Sequence, residues 1–278
     1  MLSRVEEAQA LDAVSDRLQT TIFNVVRPQR VRDLLHGVWL GHALHPVLVQ
    51  LPVGAFVSAA ILDLLPGNRR ASTTLIAAGI AGVLPAAAAG WLDWSQMTKD
   101  RRRVGLVHAA TNVVAVNLYA ASLVTRLRGG SGKGLGFAGL TVAGLGAYLG
   151  GHLSYARSAG ANQAAPDLAR IPEDWTSVGA LESLPEGKPT LRTVGDVRVL
   201  LYRTGERVTA MLERCGHETA PLSEGDVLGS GDDACVVCPW HGSTFRLVDG
   251  VVLHGPAASN QPLLRVRVEG GQVSVSQP

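Results

Sequence analysis

The sequence predicts a membrane protein of the α+β class, in which an N-terminal four-helix transmembrane bundle precedes a C-terminal all-β domain of small antiparallel sheets. Apolar residues make up 46% of the 278 residues and charged residues only 17%, a balance too apolar for an ordinary soluble protein. The apolar residues concentrate before residue 154, in four long stretches. After residue 172, short β-branched runs alternate with glycine-containing turns, and two pairs of cysteine and histidine stand among them.

Residues 1–27 form the first predicted element. Apolar side chains recur every three or four positions from Val5 to Val25, which predicts an amphipathic helix with one apolar stripe. Such a helix could lie along a membrane surface or dock on a partner helix in an oligomer. Glu6 and Glu7 stand where a secretory signal needs basic residues, so we expect no cleaved export signal.

Four apolar stretches define a predicted membrane domain at residues 28–153. They lie at residues 46–65, 73–92, 107–124 and 135–153, and each approaches the roughly 20 residues with which a helix crosses the hydrocarbon core of a bilayer. The alternative is a soluble bundle, but its helices would need the polar stripe that these stretches lack. Gly146 and Gly150 give a GxxxG spacing that favours close helix packing in membrane lipid.

Basic residues near the ends of the stretches predict the orientation. Four spans return both ends of the chain to one side, and eight basic residues lie on that side against five on the other. The positive-inside rule therefore puts both ends in the cytoplasm of a multi-pass protein of the cell (inner) membrane. The eight are Arg27, Arg30, Arg32, Lys99, Arg101, Arg102, Arg103 and Arg157, and the five are Arg69, Arg70, Arg126, Arg128 and Lys133.

Histidines from three helices fall on the same predicted side of the membrane. These are His45, His108 and His152. They could belong to an interfacial belt whose polar atoms bond water. The functional alternatives are a b-type haem held between two imidazoles, or a quinone that hydrogen-bonds to them.

Residues 154–171 are rich in Ala, Ser, Asn and Gln and predict a linker. As a flexible coil it would span about 25 Å and allow the following domain to swing. In the alternative, the linker packs along the bundle and fixes that domain. Beyond it, residues 172–278 predict hairpins, because β-branched runs are separated by Gly195-Asp196, Gly205-Glu206 and Gly270-Gly271.

Two short motifs in this β domain have the spacing of a metal site. Cys215-Gly216-His217 is followed by Cys238-Pro239-Trp240-His241, and two thiolates with two imidazoles suit a [2Fe–2S] centre in which two His replace two Cys on one iron. A structural zinc ion is the alternative. The third cysteine, Cys235, is expected to be a packed thiol in a strand. With no pair left for an intramolecular disulfide, the compartment is expected to be reducing.

Residues 172–278 resemble the Rieske family. The resemblance is carried by both motifs, by Pro221-Leu222-Ser223-Glu224-Gly225 and Ser243-Thr244-Phe245 behind them, and by Asp249-Gly250 and Gly255-Pro256. It implies that Cys215 and Cys238 hold a buried iron, while His217 and His241 hold an outer iron from which electrons leave. It also implies that Trp240, Ser243, Phe245 and Pro256 surround the cluster.

The expected type of centre follows from positions at which this sequence differs from high-potential members of the Rieske family. High-potential members carry two further cysteines that form a disulfide, and Ala220 and Trp240 stand in their places. Ser243 is kept, but Phe245 replaces the Tyr that would also hydrogen-bond a cluster sulfur. Because such bonds raise the potential, we expect a ferredoxin-like centre in the low half of the range of about −150 to +300 mV.

Residues 28–157 resemble an uncharacterised bacterial four-helix membrane domain, which brings no established activity with it. The residues that carry this resemblance are Leu35-His36-Gly37, Gly41-His42-Ala43-Leu44-His45-Pro46, Leu51-Pro52-Val53-Gly54, Leu62-Asp63, Gly90-Trp91-Leu92-Asp93-Trp94 and the helix that contains His108.

Three classes of function are compatible with these observations. The first is a membrane-anchored electron carrier that works with a redox partner protein or a quinone. The second is a membrane oxidoreductase with a haem or quinone at the histidines, and the third is a redox sensor or assembly factor. A complete enzyme is not expected, since nothing after the cluster motifs supplies the 2-His-1-carboxylate site of an oxygenase. A net charge of +2 gives no footprint for nucleic acid.

Overall fold

A computed structural model describes residues 2–278 and divides into two compact units. The first contains the residues up to Arg27 together with Ala43–Ala159, and the second contains Pro28–His42 together with Gly160–Pro278. The predicted domain boundaries differ from this division at two places. Residues 28–42, predicted as the start of the membrane domain, and residues 160–171, predicted as linker, both belong to the second unit.

The N-terminal segment of the first unit is broken into two helices rather than the single one predicted. Helix α1 covers Leu2–Glu6 and helix α2 covers Asp12–Val25, with a 3-10 turn at Gln9–Leu11 between them. Charged side chains attach α2 to the bundle of its own unit. Arg103 binds both carboxylate oxygens of Asp12 at 2.7 Å, and Arg102 binds Asp16 at 2.7 Å.

Four helices of the described chain are long and apolar enough to cross a membrane: His45–Leu64, Arg69–Ser95, Lys99–Leu127 and Lys133–Ala156. Only 22–33% of the most apolar part of each is buried, so most of their apolar side chains face outward. Outward apolar faces are what lipid requires and what water penalises. The first comprises α4 (His45–Leu48) and α5 (Gln50–Leu64), the second and third are α6 (Arg69–Ser95) and α7 (Lys99–Leu127), and the fourth is α8 (Lys133–Gly151) with a π-helical turn at His152–Ala156.

Glycines allow these helices to approach one another closely. A side-chain carbon added at Gly79 would lie 2.4 Å from the ring of Phe56, which itself stacks on Tyr119 with ring centroids 3.7 Å apart. The predicted GxxxG pair serves the same purpose, since Gly146 faces Asn112 and Gly150 faces His108. Close backbone approach of this kind is a main source of helix association in lipid.

A buried ion pair and its hydrogen-bond partners join the four long helices. Asp63 and Arg126 have side chains that are 3% and 0% exposed, and Arg126 Nη1 donates to Asp63 Oδ1 at 2.9 Å and to Ser72 Oγ at 2.8 Å. Lys133 Nζ donates to the backbone oxygen of Asp63 at 2.5 Å. Each buried charge is therefore compensated by a partner of opposite sign and by further hydrogen bonds.

The second unit contains three small antiparallel sheets, in the strand orders β1-β10-β9, β2-β3-β4 and β5-β6-β7-β8. The predicted α+β class and the antiparallel sheets are thus confirmed. The strands are β1 (Thr176–Ala180), β2 (Thr190–Val194), β3 (Val197–Thr204), β4 (Arg207–Leu212), β5 (Asp226–Leu228), β6 (Cys235–Val237), β7 (Thr244–Arg246), β8 (Val252–His254), β9 (Arg265–Glu269) and β10 (Gln272–Ser276).

Strand β3 supports two hydrophobic cores, which explains its unbroken apolar run. Val199 and Leu201 face one core, formed with β1, β2, β4 and β10. Leu200 and Tyr202 face the other, which lies under the motif loops and includes Phe245. Successive side chains of a strand point to opposite faces, so the middle of β3 at residues 199–202, which lies between the two cores, is apolar at every position.

Two helical segments outside the β domain complete the second unit. Helix α3 (Gln29–His36) is held by Asp33, whose carboxylate accepts the Gly255 N–H at 2.9 Å and lies 2.9 Å from His254 Nδ1. Before helix α9 (Ala165–Leu168), Ala164 is fully buried in the first core. Residues 160–171 therefore pack on the β domain instead of forming the free coil or the bundle contact that we predicted.

We predict that Arg126→Met lowers the free energy of unfolding by about 3–5 kcal/mol, because it leaves the Asp63 carboxylate buried without its partner. Thermal denaturation of the detergent-solubilised protein measures the effect. Adding Asp63→Asn to the same variant should recover part of the loss.

The control is Lys99→Ala, which removes a 3.5 Å pair to Asp16 whose side chains are 60% and 48% exposed. The free energy of unfolding of this variant should fall by no more than about 1 kcal/mol. Equal losses in Arg126→Met and Lys99→Ala would contradict a special role for the buried pair.

Candidate metal centre

Two similar turns present the four predicted ligands. In the first, after β4, Cys215 donates its N–H to Ala220 O at 2.8 Å and accepts the Thr219 N–H at 2.9 Å. In the second, after β6, Cys238 donates its N–H to Ser243 O at 2.8 Å and accepts the Gly242 N–H at 3.0 Å. Gly242 has φ +77°, which favours glycine.

The ligands are arranged by depth. Cys215 and Cys238 are 0% and 2% exposed, whereas His217 and His241 are half-buried. The two imidazole rings are nearly perpendicular, with centroids 5.0 Å apart. The two thiols therefore lie together on the inside of the site, and the two imidazoles lie together nearer the surface.

Backbone N–H groups of the two ligand loops favour negative charge at the two sulfurs. The bond between the thiols lowers the pKa of Cys238 to about 6, and the backbone N–H groups of Trp240 and His241 act in the same direction. The same thiol bond, together with burial, raises the pKa of Cys215 well above its usual value, although the backbone N–H groups of His217 and Glu218 also donate to its sulfur. Burial lowers the pKa of His241 and favours the neutral imidazole that binds metal.

This donor set fits a binuclear cluster better than a zinc ion. A structural zinc ion needs four ligands around one point, but within residues 2–278 no group of three or more His, Cys, Asp or Glu side chains could hold a single ion. A [2Fe–2S] cluster instead takes two protein ligands on each iron. The buried Nδ1 of His241 has no hydrogen-bond partner in the described chain, as expected of a nitrogen reserved for metal.

The four residues predicted around the cluster have different environments. Ser243 is fully buried, and its hydroxyl oxygen accepts the Ala257 N–H at 2.9 Å. Phe245 is fully buried in the core below, and Pro256 is buried beside Ala257. Trp240 is 56% exposed and stands at right angles to the ring of His241, with centroids 6.4 Å apart.

Two glutamines that brace the first ligand loop were not found from the sequence. Gln261, only 2% exposed, accepts the Gly216 N–H at 3.1 Å and donates to Leu212 O and Arg214 O at 2.6 and 2.7 Å. Gln163 donates its backbone N–H to Gly216 O at 2.7 Å and its side-chain amide to His217 O at 2.9 Å. Both lie outside the metal motifs, and neither belongs to a periodic pattern that could have drawn attention to it.

The structure brings together two of the three membrane histidines. The rings of His45 and His108 have centroids 6.5 Å apart. Their Nδ1 atoms each lie 2.8 Å from a backbone oxygen, of Ala86 and Gly146 respectively. His152 has a different partner, since its Nε2 lies 2.9 Å from a carboxylate oxygen of Glu6.

Comparison with known families covers both parts of the chain. Residues 174–268 match the Rieske [2Fe-2S] domain, and residues 41–163 match a predicted membrane protein family (DUF2231). The ferredoxin of carbazole 1,9a-dioxygenase from Nocardioides aromaticivorans IC177 is a similar solved structure, with 27% identity over 37% of this chain and 98% of that chain and a TM-score of 0.35.

Two ferredoxin subunits are similar in sequence. The anthranilate 1,2-dioxygenase ferredoxin subunit of Burkholderia cepacia is 31% identical over 103 residues, which are 37% of this chain and 92% of that protein. The 3-phenylpropionate/cinnamic acid dioxygenase ferredoxin subunit of Escherichia coli (strain K12) is 36% identical over 95 residues, or 34% and 86% of the two chains. The predicted [2Fe–2S] cofactor is thereby confirmed, and the chain belongs to the Rieske family, with its Rieske domain joined to a DUF2231 membrane domain.

Proposed function

We propose that this protein is a membrane-anchored electron carrier whose single Rieske-type cluster is held by Cys215, His217, Cys238 and His241. The observation that carries the proposal is the arrangement of these ligands by depth, with both thiols buried and both imidazoles nearer the surface. The bound cluster supplies one-electron oxidation and reduction. The protein's own contribution is to shield one side of that chemistry and leave the other accessible.

The residues of the site divide this work between them. Backbone N–H groups in both loops donate to the sulfurs and stabilise negative charge inside the protein. His217 and His241 form the edge through which an electron enters and leaves. The exposed ring of Trp240 beside His241 offers an apolar contact for a redox partner.

The partner that we propose is another protein that exchanges single electrons. The similar chains from Burkholderia cepacia and Escherichia coli are ferredoxin subunits of dioxygenases, which supports a carrier that works beside a separate oxidoreductase. A quinone remains the alternative small-molecule partner.

Membrane anchoring and orientation form the second part of the proposal. The match to a predicted membrane protein family and the four apolar helices support a multi-pass anchor in the cell membrane. The excess of basic residues at one set of helix ends, eight against five, supports a cytoplasmic Rieske domain.

A second candidate function rests on the pairing of His45 with His108. A backbone oxygen can only accept, so the Nδ1 atom beside it carries the proton, and Nε2 is left as the nitrogen that binds metal or accepts a hydrogen bond. Asn112 adds an amide nitrogen 3.2 Å from the Nε2 of His108. Two such imidazoles on neighbouring helices could hold a b-type haem or a quinone, which would make the protein a membrane oxidoreductase with two redox centres.

The ligand assignment predicts that His241→Ala abolishes the Rieske EPR signal of the reduced, detergent-purified protein and lowers its iron content, while membrane insertion is kept. The matched control is His254→Ala, because His254 lies in the same unit but contacts Asp33 and is 50% exposed. An unaltered spectrum in His241→Ala would refute the assignment.

The second candidate predicts a b-type haem or a bound quinone in the purified protein, measured by a pyridine haemochrome assay and by extraction. Either one should be lost in both His45→Ala and His108→Ala but retained in His152→Ala, whose side chain contacts Glu6 instead. Purified protein that contains the iron–sulfur signal but neither haem nor quinone would leave only the anchored carrier.

The orientation predicts activity for a reporter that functions only in the cytoplasm when it is fused after Pro278. A reporter in the loop between α5 and α6, at Gly67, should give the opposite result, since three spans, an odd number, separate the two positions. If a reagent that cannot cross the membrane labels the Pro278 fusion in intact cells, the C-terminus lies outside and the proposed orientation is wrong.

A further inference from the structure

A short segment that follows the fourth membrane-length helix is fixed on the Rieske domain and reaches the first ligand loop. Asn162 Oδ1 accepts the N–H groups of Ala164 and Ala165 at 3.1 and 3.2 Å, and its Nδ2 donates to Asn260 O at 3.1 Å. Ala164 itself is fully buried in the first core. The segment precedes the residues that match the Rieske family, which begin at 174.

Gln163 in this segment binds two successive carbonyl groups of the ligand loop. Its backbone N–H donates to Gly216 O at 2.7 Å. Its side-chain Nε2 donates to His217 O at 2.9 Å. One residue thus holds both peptide units that flank His217.

The opposite edges of these two peptide units face the cluster site. The peptide that carries Gly216 O also carries the N–H of His217, and the peptide that carries His217 O also carries the N–H of Glu218. In a trans peptide the C=O and N–H groups point in opposite directions. Holding the two oxygens on Gln163 therefore directs the two N–H groups away from it, and both donate to the sulfur of Cys215.

We propose that Gln163 is a positioning residue that raises the reduction potential of the cluster by fixing the peptide units whose N–H groups donate to the Cys215 sulfur. Such bonds stabilise the reduced, more negative cluster more than the oxidised one. The inference rests on the proposed assignment of Cys215 and His217 as ligands.

The test is Gln163→Ala in the full-length, detergent-purified protein. This change removes the bond to His217 O and leaves the backbone bond to Gly216 O, so the Glu218 N–H loses its fixed direction. A redox titration followed by EPR should give a lower midpoint, with the ratio of reduced to oxidised cluster about tenfold smaller at the wild-type midpoint, which is about 59 mV for one electron. Iron content should not change.

The matched control is Gln277→Ala. Gln277 is also half-buried, and its side-chain amide also donates to one backbone oxygen, that of Leu168 at 3.0 Å, but it does not contact a ligand loop. Its midpoint should equal that of the wild type. A midpoint lowered equally in both variants would show a general loosening of the domain and overturn the proposal.

The remaining outcomes separate the two levels of the argument. Wild-type protein without a Rieske signal would refute the proposed function itself. A Rieske signal in the wild type and an unchanged midpoint in iron-replete Gln163→Ala would refute only the role of Gln163. If the alanine variant loses iron, Gln163→Met decides, because it keeps the side-chain length and lacks the donor: a lowered midpoint supports the role, and an unchanged one overturns it.

Discussion

The sulfurs of Cys215 and Cys238, which we propose as cluster ligands, are buried almost completely, and the rest of the Rieske domain is arranged around the cost of placing negative charge there. A buried anion is tolerated only when hydrogen-bond donors replace the water that it loses. The donors here are backbone N–H groups, of His217 and Glu218 for Cys215 and of Trp240 and His241 for Cys238. Backbone donors are effective only if the loops are rigid, which explains the tight turns and the core packed beneath them.

Rigidity is supplied in part by segments that lie outside the residues matching the Rieske domain. Gln163 braces the loop of His217, and Asp33 binds Gly255 and His254 next to Pro256. The chain passes between its two compact units at Arg27, His42 and Ala159, where one unit ends and the other begins. Residues 160–171, which we expected to be part of a free coil at residues 154–171, pack on the β domain.

The sequence was most informative where one physical rule acts alone. Apolar length predicted the four helices, turn glycines such as Gly195 and Gly270 predicted the hairpins, and the two Cys/His motifs predicted the cofactor. It failed where a contact joins residues distant in the chain. Nothing local to Asp33 indicates that its carboxylate binds Gly255, more than two hundred positions away. The Ala-, Asn- and Gln-rich segment at 160–165 looked like a linker because its role depends on bonds to residues 216, 217 and 260.

The polar residues of the bundle indicate which of its features membrane anchoring alone does not explain. An anchor requires only apolar helices, and every buried polar group adds a cost that must be offset. Asp63 and Arg126 offset theirs with each other and with Ser72, so their role is satisfied by holding helices together. The Nδ1 atoms of His45 and His108 each contact one backbone oxygen, and the Nε2 of His108 also lies 3.2 Å from the amide nitrogen of Asn112. Apolar side chains of similar size would have packed there at lower cost, and the Nε2 atom of His45 is therefore the feature that a purely structural role leaves unexplained.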